Sequence, residues 1–331
     1  MNTRDAPAIP DPVDGWRPGA SPSRLRARAQ LLARVRDFFT ERHVLEVDTP
    51  LLGRAGITDP AIEPLTVDRG RSIDSPRFLQ TSPEYAMKRL LAAGSGPIFQ
   101  IARAFRDGEA GSRHNPEFTL LEWYRPDMDY HTLMGEVAAL VEACLGHRPC
   151  RKSSYRKLFI DILGVDPMAA DVAELEAIAR ERVDVGSLQG PRDLWLDLLL
   201  SHCIEPALAD EGGLVFVFDD PASQAALAQI AESDGLQVAQ RFELYVDGVE
   251  LANGYQELTD PLEQRQRFDA DNRRRREMGQ QERVLDERLL SAMAHGLPQC
   301  SGVALGVDRL LMLAEGCSSI AEVLAFDWSR A

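Results

Sequence analysis

FLQTSPEYAMKRLLAAGSGPIFQIARAFRDGEAGSRHNPEFTLLEWYRP, residues 78–126, reads as two short apolar strands, Pro97–Arg106 and Glu117–Tyr124, joined by a loop dense in Arg, Asp, His and Asn. A loop that polar between two buried strands is suited to holding a ligand. Alternation along the second strand puts Phe118, Leu120, Glu122 and Tyr124 on one face. A flat aromatic ring, a carboxylate and a phenol then share a surface with Arg106, which closes the first strand. These parts suit a nucleotide base, its phosphate and a cationic substrate.

Upstream, Phe78–Thr81 reads as a strand, and Ser82-Pro83-Glu84 starts the next helix with a cap followed by proline. The same grammar at Ser21-Pro22 opens a helix to about Arg42, with Leu25, Leu32, Val35 and Phe39 as its apolar stripe. A strand at Val44–Val47 and Thr49-Pro50 follow. Residues 1–22, rich in Pro, Asp and Gly, are expected to lack fixed structure, and residues 23–331 to form one domain. From about 130 to 240 the pattern is helical with turns, an insertion within that domain. Leu214–Phe218 and Arg241–Val246 return to strand.

The chain of 331 residues is 44 % hydrophobic and carries a net charge of −15. No apolar run has the length of a membrane span and the N-terminus has no apolar secretory core, so a cytoplasmic location is expected. The five cysteines form no CxxC pair, which leaves neither a zinc knuckle nor a disulfide framework supported. The acidic balance argues mildly against a polyanionic ligand. Arg273–Arg276 is the dense basic run. It reads first as a solvated helix face, and second as a contact for an acidic partner.

The hairpin Arg241–Gly254 has geometry that can be argued in advance. Asp247-Gly248 is the preferred two-residue type I′ turn, so Val246 should pair with Val249 and Tyr245 with Glu250. Glu243 then lies opposite Ala252, diagonal to Glu250 on one face. Two carboxylates so close repel unless a cation sits between them, and magnesium carrying ATP phosphates is a natural one. In isolation the hairpin reads instead as a solvated polar face. In SGVALGVDRLLML (301–313), Val303–Leu305 reads as strand and Val307 onward as helix. Arg309 therefore falls in a first helical turn, where the dipole favours anions.

Three ordered stretches carry a resemblance. Residues 78–126, with FRxxE and RHNPEFT, resemble motif 2 of the class II aminoacyl-tRNA synthetases, most closely the lysine enzymes. Residues 301–313 resemble motif 3, and the helix, strand and proline ending at Pro50 look like motif 1, the dimer interface of that class. RFELYVDGVELANGYQEL (241–258) agrees. The resemblance implies an α+β fold, an antiparallel sheet flanked by helices, in a homodimer that uses ATP and Mg²⁺.

It also implies roles. Arg106 would bind the α-phosphate, and Arg309 would stack on adenine against Phe118 and reach the γ-phosphate. Asp107, Gly108, His114, Asn115, Glu250, Leu251 and Gly306 complete the ATP site, and Glu243 with Glu250 hold metal. Ser82, Pro83 and Glu84 take the amino group nearest the carboxylate. Glu257, with Tyr124 as its hydrogen-bonding partner, meets the distal amino group, and Asn253 and Ala304 line the same pocket. For Glu250 and Glu257 to serve one site the strand must bulge or bend near Asn253-Gly254.

Three departures stand out. FRDGE has Gly108 where the family has Glu, with Glu109 one place later. Ala304 replaces the usual Gly of the lysine enzymes, placing a methyl on the pocket floor. Only about 22 residues precede motif 1, short of the anticodon-binding domain expected there. A truncated branch of the family shares this architecture, activating (R)-β-lysine and transferring it to a lysine ε-amino group of translation elongation factor P, an acidic protein shaped like tRNA. TSPEY, ELANGYQELTD and CSGVALGVDRL resemble that branch. The rivals are a truncated synthetase charging another acceptor, tRNA included, and a catalytically dead regulatory paralogue.

Overall fold

The computed structural model describes residues 16–67 and 77–331. In chain order come α1 (Pro22–Thr40), β1 (Leu45–Glu46), β2 (Leu52–Gly53), β3 (Thr66–Val67), β4 (Arg77–Leu79), α2 (Glu84–Ala92), β5 (Ile98–Phe105), β6 (Glu117–Pro126) and α3 (Tyr130–Leu145). Next are β7 (Cys150–Ser154), α4 (Tyr155–Leu163), α5 (Val172–Arg182), α6 (Arg192–Leu199), a π-helical turn (Leu200–Ile204) and α7 (Glu205–Glu211). Then follow β8 (Leu214–Pro221), β9 (Ile230–Ser233), β10 (Leu236–Val246), β11 (Val249–Gln256), α8 (Pro261–Glu277), α9 (Glu287–Gly296), β12 (Cys300–Gly306) and α10 (Val307–Ala314). No helix among the described residues is long and apolar enough to cross a membrane.

The main sheet runs β1-β5-β6-β12-β11-β10-β8-β7, with β9 paired to β10. Its centre is antiparallel as expected. Its edges are not, because β1 joins β5 and β7 joins β8 in parallel, so the sheet is mixed. Period-two alternation divides its residues between two faces. Leu121 and Trp123 of β6, Val303 and Leu305 of β12, and Phe242 and Leu244 of β10 go into a core covered by α1, α3 and α10. Burying side chains such as Phe39, Leu121 and Leu305 completely contributes roughly 2 kcal/mol each by transfer. The opposite face carries Glu122 and Tyr124 of β6, Asn253 and Tyr255 of β11, and the small residues Gly302, Ala304 and Gly306 of β12.

Ser21 caps α1 as its sequence signals, accepting from the Arg24 N–H with Pro22 in the first turn. The buried stripe differs from the expected one. It is Leu31, Val35, Phe38 and Phe39, a true helical spacing, while Leu25 is exposed. Residues 1–15 lie outside the described residues. The end of the segment expected to lack structure is fixed: Gly19 and Ala20 donate to the Ala325 and Leu324 carbonyls, and Ala20 is buried. The strand expected at Leu214–Phe218 is present as β8, but the stretch 130–240 is otherwise less helical than its pattern suggests, since β7, β9 and the start of β10 also fall within it. CRKSS has no apolar alternation to announce β7; parallel pairing to β8 makes it a strand. Helices α4 to α7 build their own core on Val215, Val217 and Tyr245, whose neighbours Leu214, Phe216 and Leu244 belong to the central one.

The hairpin turn forms as its residues require. Asp247 and Gly248 have φ of 49° and 73°, Val246 pairs with Val249, and Tyr245 pairs with Glu250. Then the register shifts: Leu244 pairs with Ala252, and Glu243 with Asn253 rather than with Ala252. Leu251 is therefore the extra residue of a β-bulge, two places before the bend expected at Asn253-Gly254. Gly254 serves packing instead, since a Cβ there would sit 2.4 Å from the Phe242 ring. The bulge brings Glu250, Asn253, Tyr255 and Glu257 to one side of the sheet.

Candidate active site

The face of β6, β11 and β12 away from the core, walled by α2, α8 and the loop 107–116, encloses a cavity of about 850 Å³. One end is cationic and aromatic. Arg309, in the first turn of α10, donates from Nη1 to the Glu250 carbonyl (2.7 Å) and to Glu250 Oε2 (3.2 Å). Its Nε donates to the Arg113 carbonyl (3.2 Å), and its Nη2 lies 2.7 Å from His114 Nε2. Burial, then Arg309 itself, lowers the His114 pKa, which keeps that nitrogen a neutral acceptor. Arg106 lies 5.1 Å over the Phe118 ring and 3.7 Å from Glu109. Its Nε is buried with no hydrogen-bond partner among the described residues. Leaving such a donor unsatisfied costs about 1–3 kcal/mol, which a phosphate oxygen would relieve.

The other end is acidic. Glu84, Glu122, Glu257 and Tyr124 line it, with Ala304 set between Glu122 and Asn253 in neighbouring strands. The Tyr124 O–H donates to Glu122 Oε1 (2.7 Å), so its partner is Glu122 rather than the expected Glu257. Glu257 Oε2 is instead 2.6 Å from Nζ of the buried Lys88, which also donates to Glu84 Oε1 (2.7 Å). Burial disfavours a charged Lys88, but Glu257 and Glu84 outweigh it and raise its pKa above the ordinary lysine value. Burial, then Glu84, pushes Glu122 up to about 8, with the Tyr124 hydrogen bond opposing. Glu122 Oε2 is buried without a partner among the described residues, an acceptor open to a donor. Gly302 forms the floor: a Cβ there would come within 2.4 Å of both Glu257 Oε1 and the Tyr124 ring.

Glu243 and Glu250 lie diagonally on the hairpin, one residue off the expected register. Glu243 accepts from Arg241, from the Tyr245 O–H (2.7 Å) and from Asn253 Nδ2 (3.5 Å). Burial raises its pKa, Arg241 opposes, and Glu250 adds to the rise. Burial, then Glu250 and Glu243, likewise pushes Glu205 of α7 up to about 7. Negative charge is thus crowded here, which fits a hard cation. Among the described residues no three His, Cys, Asp or Glu are arranged to hold an ion. Phosphate oxygens would have to complete the set, as magnesium commonly arranges.

Other expected residues are placed as follows. His114, Asn115, Leu251, Gly306, Ser82 and Asn253 line the cavity. Asn115 is also a brace, donating to the Glu117 carbonyl and accepting from the Trp328 N–H. Asp107 and Gly108 are exposed and outside the lining, while Glu109 is within it. Glu243 backs the wall through Arg241, which does line it, and Pro83 is buried beneath. Pro83 rather than Ser82 occupies the cap position of α2, although Ser82 Oγ accepts from the Glu84 N–H (3.1 Å). The run Arg273–Arg276 is not one solvated face. Arg275 is buried, donating to Glu63, to the Asp59 carbonyl and to the Gln281 carbonyl, and Arg276 pairs with Glu282. Only Arg273 and Arg274 remain for an acidic partner. Lys88, Arg241 and Gly302 are the functional-site residues the sequence reading passes over. The spacing Glu84 to Lys88, four apart on a helix, was the available signal for the first.

The family model for class II tRNA synthetases (D, K and N) matches residues 16–329, and the chain belongs to that family. An elongation factor P–(R)-β-lysine ligase of Pasteurella multocida is 48 % identical over 320 residues, covering 95 % of this chain and 97 % of the relative. Ligases of the same name from Salmonella gallinarum and Salmonella typhi are 49 % and 48 % identical over 321 residues, covering 96 % of this chain and 98 % of each relative.

Proposed function

We propose that this chain activates (R)-β-lysine with ATP and transfers it to a lysine ε-amino group of elongation factor P, as an AMP-forming ligase. The observation that carries the reading is one cavity joining two kinds of chemistry. Phosphate-seeking arginines and an aromatic face lie at one end, and buried carboxylates, one oxygen of them unpartnered, lie at the other. A substrate with a carboxylate and ammonium groups fits between them. The names of the relatives supply β-lysine and the protein acceptor.

In the first step the amino-acid carboxylate attacks the α-phosphorus, a P–O bond forms, and pyrophosphate leaves. The nucleophile is already ionised, so no side chain needs to move a proton. Arg106 Nε offers its unsatisfied donor to the α-phosphate, where charge grows in the transition state, and Arg309 holds the distal phosphates at the N-terminus of α10. Glu243 and Glu250 would hold magnesium, which supplies charge neutralisation for the departing pyrophosphate. Glu109, beside Arg106, takes the place left by Gly108. Glu122 and Tyr124, with Glu84 and Glu257, receive the ammonium groups. In the second step a neutral acceptor amine attacks the acyl carbon, the C–O bond to the phosphate breaks, AMP leaves and the surplus proton of the amine passes to solvent.

The protein acts as a homodimer in the cytoplasm. Exposed Leu25, Leu45, Leu51 and Leu52, on and beside α1, supply apolar surface for the partner. Glu250→Gln, by weakening the metal pair, is expected to raise the magnesium concentration needed for half-maximal activity. A magnesium titration of the folded variant that matches wild type would remove Glu250 from that role. The reading itself is tested by ATP–pyrophosphate exchange with (R)-β-lysine, α-lysine and no amino acid. Exchange should depend on an amino acid and favour β-lysine. Exchange that α-lysine supports better, or that no lysine supports, would contradict it.

A further inference from the structure

Lys88 is a cation in a place that apolar packing would fill more cheaply. Its helix neighbours Met87 and Leu91 belong to an apolar cluster with Tyr124, Phe268 and Cys300. Its side chain is 1 % exposed, and it is not part of the cavity wall. A buried ion pair adds little net stability over a hydrophobic replacement, so a lysine here calls for another reason.

Its partners supply one. Nζ reaches Glu84 on its own helix at 2.7 Å and Glu257 just beyond β11 at 2.6 Å. Both carboxylates line the cavity, and they come from two different places in the fold, the start of α2 and the position just after β11. Glu257 is otherwise fixed through its backbone, whose N–H donates to the Cys300 carbonyl (3.0 Å). Glu84 is fixed by the first turn of α2. The ammonium between them therefore sets their separation. It also sets the charge: three carboxylates, Glu84, Glu122 and Glu257, less one lysine leave two negative charges when all are ionised. Two ammonium groups on a substrate would match that surplus.

We infer that Lys88 is a specificity-determining positioning residue that spaces the carboxylates receiving the two ammonium groups, and so selects the length of diamino acid accepted. The inference rests on the β-lysine reading above. Without Lys88, Glu84 and Glu257 face each other with no cation between them and must separate or take up a proton. The phosphate end, walled by Arg106, Phe118 and Arg309, should not feel the change.

The test is steady-state pyrophosphate exchange by wild type, Lys88→Met and Lys88→Arg. The substrates are (R)-β-lysine and its homologue shorter by one methylene. Lys88→Met should raise the KM for β-lysine about tenfold or more while leaving the KM for ATP within about twofold, and it should erode the preference for β-lysine over the shorter homologue. Lys88→Arg keeps the charge with a longer, planar head, so it should fold and still change that preference ratio. This variant decides the matter if Lys88→Met does not fold. A folded variant with an unchanged ratio, or with both KM values raised by the same factor, would overturn the inference. Wild-type enzyme that activates neither diamino acid would overturn the functional reading itself, a result distinct from a Lys88 variant that behaves as wild type.

Discussion

Arg309→Ala and Arg106→Ala should each lower ATP–pyrophosphate exchange at least about a hundredfold, as loss of a preorganised electrostatic stabiliser does. The structure gives each arginine a different reason. Arg309 is already held at the cavity by the Glu250 carbonyl, the Arg113 carbonyl and His114, so its charge is fixed in place before phosphate arrives. Arg106 holds a buried Nε donor that no group among the described residues satisfies. Both variants should fold, because neither side chain belongs to an apolar cluster. The check is exchange at saturating ATP together with a thermal melt. Near-normal exchange in a folded variant would remove that arginine from the reaction.

Gly302→Ala should abolish most use of the amino acid while sparing nucleotide binding. Its Cβ would meet Glu257 Oε1 and the Tyr124 ring at 2.4 Å, below any ordinary contact. Neither neighbour has room to withdraw, since Tyr124 is 2 % and Glu257 1 % exposed. Relieving the crowding displaces groups that receive the substrate, and a loss of about 1–3 kcal/mol of the kind one methyl causes in a tight pocket corresponds to about five- to 150-fold in the kcat/KM for β-lysine. The nucleotide end offers a contrast. At Gly306 the nearest atom to an added Cβ is in the Arg309 side chain, at 3.6 Å, an ordinary contact. Binding of an ATP analogue to Gly302→Ala should match wild type. A normal kcat/KM for β-lysine would show that the floor yields.

What could be read from the sequence was local or periodic. Ser21-Pro22 fixed a helix start, Asp247-Gly248 fixed a turn, and alternation gathered Phe118, Leu120, Glu122 and Tyr124 on the cavity face. What could not be read depends on partners distant in the chain. The Leu251 bulge is absent from the period-two pattern, yet it decides that Glu243 faces Asn253. Arg275 looks like part of a solvated run until Glu63, 212 residues away, is seen to bury it. Lys88 looks like a surface lysine until Glu257 folds back onto it. In the same way, a carboxylate expected to accept a substrate proved to hold an internal cation, while Glu122 kept the open oxygen. The motif resemblance pointed to residues that share one cavity; only packing shows which charges there are already paired.

The central claim is that the activated amino acid goes to a protein. With Arg275 buried on Glu63 and Arg276 paired with Glu282, Arg273 and Arg274 are the exposed arginines of that run left to meet an acidic surface, among the described residues. The direct test supplies the enzyme with ATP, magnesium and labelled (R)-β-lysine, and offers unmodified elongation factor P and lysine tRNA in separate and mixed reactions. Label should appear on elongation factor P at a lysine side chain, in an amide bond stable to mild base, with lysine tRNA essentially blank. Efficient labelling of tRNA with elongation factor P left unmodified would contradict the account and make a tRNA-charging enzyme the better reading.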